Sequence, residues 1–246
     1  MTEKTNKLQH PCFPQPINTG VRVWKYMDLG KLISTISKKS LFLCRLDLLG
    51  DLHEGSITKA TFMERQDSFS KQGITRWASL ISDENKRKKK SFFVNCWRHD
   101  DFESEAMWKL YCPDNNGIAL QTTYQKLVEA ISFDDQLYIG LIKYIDYETE
   151  WFPSGNLFFP VMHKRKGFEH EKEVRLVKSE SKYWDPKSEE PPQGLLCPWE
   201  LTKSIENIYV NPYADNWYYE AINDLLITFD IKINIIWSSL KGIPYF

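Results

Sequence analysis

The sequence predicts an α+β fold with a single mixed, mostly antiparallel sheet and short helices interleaved between its strands. Runs typical of strands and helices alternate, but the helical runs are uneven and often short, which does not suit a regular parallel βαβ array. The composition can supply a core, because 42% of the 246 residues are hydrophobic and 14% are aromatic. No internal repeat or low-complexity linker divides the chain. We therefore expect residues 20–246 to form one domain, preceded by a flexible arm over residues 1–19.

The predicted strands are rich in β-branched and aromatic residues and are bounded by polar or turn residues. They lie at 21–27, 40–46, 91–97, 117–123, 136–147, 168–180, 204–212 and 232–240. The predicted helices show apolar residues at helical spacing. They lie at 29–39, in two pieces within 57–90 that are broken near Gly73, and at 103–112, 124–131 and 215–229. The segment 157–168 is ambiguous between the two structures.

Charge and composition narrow the possible functions. The formal net charge is −1, which gives no global attraction to nucleic acid or to an anionic membrane. No apolar run is long enough to span a bilayer, and the polar, proline-rich N-terminus lacks the pattern of a targeting signal. The five cysteines are odd in number and never form a C-x-x-C pair. We therefore expect a cytoplasmic protein with no membrane partner, no disulfide framework and no zinc site.

Several common catalytic motifs do not occur in the sequence. It contains neither phosphate-binding glycine motif, G-x-G-x-x-G or G-x-x-x-x-G-K-[ST], and neither H-E-x-x-H nor G-x-S-x-G. The five histidines do not cluster along the chain. We therefore expect no catalytic triad and no histidine metal site, and we predict no bound metal.

The stretch FEHEKEVRLVKSE, residues 168–180, holds the candidate catalytic residues. Read as an extended strand, it places Glu171, Glu173 and Arg175 on one face. In a cleft, one carboxylate could orient a nucleophile while the other stabilises a cationic transition state or accepts a proton. Arg175 would hold both carboxylates and lower their pKa values. The same pattern is equally typical of a solvated outer strand with cross-strand ion pairs.

Candidate ligand-binding residues lie on the first predicted strand and at the end of the third. Arg22 or Lys25 could contact a phosphate, with Tyr26 offering a ring face, and Trp97 could stack a nicotinamide, an adenine or a nucleobase. Both features also fit structural roles, as snorkelling cations at a sheet edge and as core aromatics. The lysine-rich run 86–90 is most often a solvated helix end, although it could dock nucleic-acid phosphates.

Several short motifs, taken in order, resemble a bacterial family catalogued as domain of unknown function 2971. They are WKYMD, LFLCRLDLLGDLHEG, FFVNCW, MWKLYCPDNNGIAL, KRKGFEHEKEVRLV and IENIYVNP, and they span about residues 21–240. The family name implies no activity, but its members are often found near mobile or defence-associated genes. The element DLHEG departs from the usual family form, which has Asn-Asp-Pro before the Glu.

More distantly, EHEKEVRL resembles the Glu-x-Glu strand of ADP-ribosyltransferases. The resemblance implies that Glu173 contacts the nicotinamide ribose of NAD and stabilises an oxocarbenium-like transition state, with Glu171 on the acceptor side. It implies that Lys25 or Tyr26 stands where the superfamily has an Arg or His on an early strand. It also implies that Asn95 holds a key position on a middle strand. At both positions this sequence departs from the superfamily pattern. The implied function is an NAD-dependent ADP-ribosyltransferase-like enzyme, as a toxin or phage-defence effector, with NAD as substrate and a nucleic-acid or protein acceptor.

Two other functions stay open. The first is a metal-dependent nuclease-like enzyme in which the run 86–90 holds the nucleic acid and four carboxylates hold Mg²⁺. These carboxylates are Asp51, Glu54, Glu171 and Glu173, and the hypothesis requires the two acidic segments to meet in space. The second is a non-enzymatic module that binds a protein or nucleic acid, which predicts a flat, wet face on the Glu-x-Glu strand. An enzyme of either kind could be held inactive by an inhibitory partner protein.

Overall fold

The computed structural model describes residues 10–74, 77–132, 134, 136–153, 155–185 and 187–242. The architecture is α+β, with mostly antiparallel strands and several helices, as the sequence predicts. The chain divides into two compact units, each made of three separate stretches. The first unit consists of Met1–Gln15, Leu43–Asn95 and Phe133–Leu195, and the second of Pro16–Phe42, Cys96–Ser132 and Leu196–Phe246. The predicted domain boundary at residue 20 stays a prediction.

The strands are β1 (Arg22–Asp28), β2 (Ser40–Arg45), β3 (Phe92–His99), β4 (Gly117–Thr123), β5 (Leu137–Leu141), β6 (Lys143–Ile145), β7 (His163–Arg165), β8 (Glu173–Ser179), β9 (Gly194–Pro198), β10 (Asn207–Val210) and β11 (Asn234–Trp237). The α-helices are α1 (Leu29–Lys38), α2 (Lys59–Lys71), α3 (Trp77–Lys90), α4 (Glu105–Tyr111), α5 (Tyr124–Ala130), α6 (Phe159–Met162), α7 (Leu201–Ser204) and α8 (Asn216–Thr228). Within the described ranges, no helix combines the length and apolar character needed to cross a bilayer.

The second unit is built on an antiparallel sheet that ends in one parallel pair. Its strand order is β11-β10-β4-β1-β3, in which β1 pairs antiparallel with both β4 and β3, while β10 and β11 are parallel. Trp24 and Tyr26 of β1 belong to a core cluster with Met107 and Trp108 of α4. Because alternate residues of a strand share a face, these two aromatics together form one side of that core.

The first unit places β8, the candidate catalytic strand, at a central position. It pairs antiparallel with β5 and also pairs with β3. The five consecutive residues 173–177 are all buried. Neither face of β8 is therefore solvated over these residues, and the interpretation of this strand as a flat, wet outer face is wrong.

The predicted strand over 168–180 begins too early. Lys166–Glu171 forms a 3-10 helix, and Lys172 adopts the left-handed conformation with φ of 42°. The N–H of Lys172 closes this helix on the carbonyl three residues back, at 3.1 Å, which prevents an extended backbone before Glu173. Glu171 therefore lies on the 3-10 helix that precedes the strand and not on the strand itself.

In three other segments, the structure defines the predicted elements more closely. The predicted strand over 136–147 is divided into β5 and β6, because β6 pairs in parallel with β7 while β5 pairs with β8. The ambiguous segment 157–168 contains α6 and β7. The two predicted helices within 57–90 are confirmed as α2 and α3, and Gly73 between them has a φ of 74°. A positive φ is readily adopted by glycine, which explains the break at this residue.

Within the predicted N-terminal arm, Phe13 packs against β5. This side chain is buried and stacks on Tyr138 with ring centroids 5.0 Å apart. Gly140 of β5 permits the approach, because a Cβ at this position would lie 2.7 Å from Phe13 Cα. At Phe13, burial of an aromatic ring offsets the entropy lost by ordering the chain. The flexible arm over residues 1–19 stays a prediction.

We predict that Gly140→Ala destabilises the protein by about 1–3 kcal/mol, because the added methyl group meets backbone rather than a flexible side chain. Urea unfolding followed by circular dichroism measures the change in the free energy of unfolding. Gly50→Ala is the matched control, since a Cβ at Gly50 meets nothing within 4 Å. Equal stability of the two variants would contradict the packing of Phe13 against β5.

Candidate functional site

Arg175 is the centre of a group of buried charged side chains in the first unit. It lies on β8 and its exposed fraction is 0%. Its Nε donates to Glu173 Oε1 at 2.5 Å, and its Nη2 donates to Glu173 Oε2 at 2.9 Å. Residues two apart on a strand point to the same face, so the sequence places these two groups in position for a bidentate pair.

The same guanidinium also binds Glu54, which lies before α2. Nη1 donates to Glu54 Oε2 at 2.9 Å and Nη2 donates to Glu54 Oε1 at 3.1 Å. Nη1 additionally donates to the Val161 carbonyl at 2.7 Å. All five N–H groups of Arg175 therefore have an acceptor, which is the condition under which a charged group can be buried at tolerable cost.

Lys164 and Glu171 extend this group of charges. Lys164 Nζ lies 2.6 Å from Glu171 Oε2, 3.1 Å from Glu54 Oε1 and 3.6 Å from Glu173 Oε2. The five residues are called the ion cluster below: Glu54, Lys164, Glu171, Glu173 and Arg175. Three carboxylates face two cations in it. The exposed fraction rises from 0% at Arg175 to 7% at Glu171 and 8% at Lys164, so Lys164 and Glu171 form the outer end of the cluster.

The ion cluster shifts the pKa values of its members in different directions. Burial alone would raise the pKa of Glu54, but Arg175 and Lys164 outweigh burial and hold this pKa at about 2. Burial raises the pKa of Glu171, since Lys164 offsets it only in part and the neighbouring carboxylates add to it. Burial disfavours the charged form of Lys164, but the three carboxylates outweigh it and raise the pKa. Glu171 therefore takes up a proton at a higher pH than Glu54.

An aromatic ring and a second cation lie beside the outer end of the ion cluster. The ring centroid of Phe168 lies 4.7 Å from Lys164 Nζ and 5.3 Å from the guanidinium carbon of Arg165. The Arg165 side chain is 40% exposed, and its Nη2 lies 2.7 Å from Asp51 Oδ1. A cation, a ring and a carboxylate with a raised pKa thus meet where the cluster is most exposed.

The predicted ligand-binding residues of β1 lie in the second unit and bind protein groups there. Lys25 Nζ donates to the Cys96 carbonyl at 2.9 Å. Tyr26 is buried, and its hydroxyl accepts a hydrogen bond from the Ser104 N–H at 2.8 Å. Arg22 is exposed and donates to a backbone carbonyl at 3.2 Å. The ring of Tyr26 is therefore part of the core and offers no open face to a ligand.

Trp97 and Asn95, both on β3, are buried. Trp97 belongs to the second unit and packs edge-on against Trp199, with ring centroids 6.0 Å apart. This packing favours the structural interpretation of Trp97 over the predicted stacking on a nucleobase. Asn95 belongs to the first unit, together with the three candidate catalytic residues. The other predicted ligand-binding residues all belong to the second unit.

The carboxylates of the nuclease hypothesis bind cations of the protein itself. The two acidic segments do meet, because Glu54 and Glu173 both bind Arg175. The other two carboxylates bind Arg165 and Lys164. In the described ranges, no three His, Cys, Asp or Glu side chains are arranged to hold a metal ion. Guanidinium and ammonium groups thus occupy the positions that a divalent cation would need.

Sequence reasoning missed three residues of this region. Lys164 and Arg165 lie in the segment 157–168, whose secondary structure the sequence left ambiguous. Tyr144 lies on β6, and its hydroxyl accepts a hydrogen bond from the Glu173 N–H at 2.8 Å, which fixes the start of β8. The closeness of KRK to FEHEKE in the sequence signals that opposite charges pair. It does not identify the pairs, because the partners lie on separate elements.

Comparisons with known proteins yield one weak likeness. No protein-family model matches the chain, and no curated protein matches it. The resemblance to the domain of unknown function 2971 family therefore stays a prediction. Among solved structures, the chain is similar to Thermus sp. 2.9 DarT in complex with ADP-ribosylated ssDNA, with a TM-score of 0.42 and 9% sequence identity, covering 91% of this chain and 96% of that chain. A likeness this weak carries no argument about function.

We predict that Arg175→Met destabilises the protein by about 3–5 kcal/mol, because it leaves buried carboxylates without their main partner. Urea unfolding monitored by tryptophan fluorescence measures the loss. Lys59→Met is the control, since the ion pair between Lys59 and Glu148 has side chains that are 64% and 71% exposed and contributes little. If the two variants were equally stable, Arg175 would not hold the ion cluster together.

Acid should destabilise the protein through Glu54. Its pKa is about 2 in the folded protein, against an ordinary value of 4.5, so folding favours the ionised carboxylate. This stabilisation is complete above about pH 5 and is lost as the pH falls towards 2. Urea unfolding at a series of pH values measures it, and Glu54→Gln should flatten the dependence in that window. A wild-type dependence as flat as that of the variant would rule out the pairing with Arg175.

Proposed function

We propose that this chain is an ADP-ribosyltransferase-like enzyme that uses NAD as a substrate, with Glu171 as the catalytic residue. The asymmetry of the ion cluster supports this proposal. Glu173 has both carboxylate oxygens bound by Arg175, whereas Lys164 binds Glu171 through one oxygen. Burial raises the pKa of Glu171. A carboxylate that is fixed in place and has a raised pKa suits a general base.

In the proposed reaction, the bond between the ribose and the nicotinamide of NAD breaks, and nicotinamide leaves with the bonding electron pair. A nucleophile of the acceptor then forms a bond to the cationic C1 of the ribose. The proton of this nucleophile passes to the carboxylate of Glu171. The excess of carboxylates over cations in the ion cluster favours the cationic sugar electrostatically.

Glu173 has a different role in this proposal from the one that the resemblance implies. Because both of its oxygens bind Arg175, we assign it as a positioning residue that fixes the guanidinium and, through the rest of the ion cluster, Lys164. The half-exposed Arg165, beside the ring of Phe168, supplies a cation for the diphosphate of NAD. The proposal rests on residues of the first unit alone.

The acceptor and the biological role rest on the resemblance to ADP-ribosyltransferases. We infer an acceptor that is a nucleic acid or a protein, and a role as a toxin or phage-defence effector restrained by an inhibitory partner protein. The half-exposed Lys88, Lys89 and Lys90 of α3 would assist a nucleic-acid acceptor through its phosphates.

The burial of the ion cluster leaves a second candidate function open, although the flat, wet face expected for it on β8 is absent. No member of the cluster is more than 8% exposed, and every N–H of Arg175 is bound within the protein. Buried ion pairs also occur as purely structural cores. The chain would then be a non-enzymatic module that binds a protein or a nucleic acid, and the charge of Glu171 would take part in no chemistry.

We predict that Glu171→Gln lowers nicotinamide release from NAD by about 10²–10⁴-fold, the usual contribution of a general base. The assay uses purified protein with cell lysate as the source of acceptor. Stability should not fall, because the pKa of Glu171 is raised in the folded protein. A carboxylate with a raised pKa stabilises the fold at low pH, where it is protonated. At neutral pH it is ionised, and the buried charge lowers the free energy of unfolding. A neutral amide in the same place has no such cost.

Glu169→Gln is the matched control, since Glu169 is exposed on the same 3-10 helix and should keep wild-type release. Glu173→Gln should lose both activity and stability, as expected of a residue that acts through Arg175. Full release by folded Glu171→Gln would overturn the assignment of Glu171. Absence of release from the wild type with every lysate fraction would favour the non-enzymatic module.

A further inference from the structure

The first unit contains a pocket lined by cations near the C-terminal end of α3. Its lining includes Arg65 of α2, Asn85, Lys88 and Lys89 of α3, and Asn156. None of its twelve lining residues is acidic. Arg and Lys side chains are hydrogen-bond donors only, and an amide offers two further donors. The polar wall of the pocket therefore suits a ligand that carries several acceptor oxygens.

The cations that line this pocket also interact with groups of the protein itself. Lys88 pairs with Glu84, which is exposed to solvent. Lys89 Nζ lies 3.4 Å from the Leu52 carbonyl, which is a weak hydrogen bond. Burial lowers the pKa values of Lys89 and Arg65, although nearby carboxylates act in the opposite direction. A bound anion would favour the charged forms of both side chains.

The size and the second wall of the pocket limit the ligand. The pocket also has an apolar part of its lining, which includes Ile57, Phe92 and Val161. The cavity volume is about 40 Å³, the space of roughly three water molecules. A group of the size of one tetrahedral anion fits this volume. The rest of a larger ligand would have to lie outside the pocket.

We propose that this pocket binds a phosphate group, either as inorganic phosphate or as the terminal phosphate of a nucleotide. Charged N–H donors form strong hydrogen bonds to phosphate oxygens, and three of the lining residues carry such donors. The pocket adjoins the ion cluster, because Gly55 of its lining follows Glu54 and the carbonyl of its Val161 accepts from Arg175. The proposal concerns binding alone and does not depend on the proposed transferase activity.

Isothermal titration calorimetry of the full chain tests the proposal with three probes: inorganic phosphate, AMP and adenosine. Phosphate and AMP should bind the wild type, and adenosine should not. Arg65→Gln with Lys89→Gln should weaken phosphate binding by about tenfold or more, because charge-assisted hydrogen bonds are lost. Lys86→Gln is the matched control, since Lys86 lies on the same helix, is exposed and does not line the pocket.

Thermal unfolding establishes that the variants are folded, and Lys89→Gln alone serves if the double variant is not. AMP that binds more tightly than inorganic phosphate supports a nucleotide phosphate as the ligand, and equal affinities support phosphate itself. The proposal is overturned if neither phosphate nor AMP binds, or if adenosine binds as tightly as AMP. It is also overturned if Lys86→Gln weakens binding as much as the pocket variants do.

Discussion

The first unit depends on the burial of one guanidinium group. The Arg175 side chain is fully buried, so water cannot solvate its charge, and removal of a charge from water costs several kcal/mol. Two carboxylates and one backbone carbonyl offset this cost by accepting all five N–H groups. The requirement ties β8 to Glu54, which is 121 residues away in the sequence, and to α6 through Val161. Three distant parts of the chain are thus held in one arrangement.

The proposed chemistry follows from the unequal numbers of carboxylates and cations in the ion cluster. Three carboxylates share two cations, and the bidentate bonds of Arg175 serve Glu54 and Glu173. Glu171 is left with Lys164, and burial raises its pKa. A rigid interior that leaves one carboxylate less compensated creates a fixed proton acceptor at the outer end of the cluster. The pocket beside α3 is the converse case, because its lining residues include three cations and no carboxylate, and an anion is the proposed ligand.

The sequence predicted most of the elements, because apolar periodicity and turn residues act locally. It also predicted that Glu171, Glu173 and Arg175 belong together, although Lys172 turns the backbone and places Glu171 on a helix. The burial of β8 could not be predicted, since alternating charges in EKEVRL are equally typical of a solvated strand. Their partner, Glu54, lies in a polar turn far away in the sequence, and only the tertiary fold brings it to Arg175.

A double-mutant cycle between Arg175 and Glu54 tests most directly whether the buried guanidinium organises the first unit. Urea unfolding of the wild type, Arg175→Met, Glu54→Gln and the double variant yields the coupling free energy of the pair. We predict a coupling of about 2–3 kcal/mol, near the upper end of values for residues in contact, because either single change leaves the other charge buried with one partner fewer. A coupling near zero would contradict the central position of Arg175.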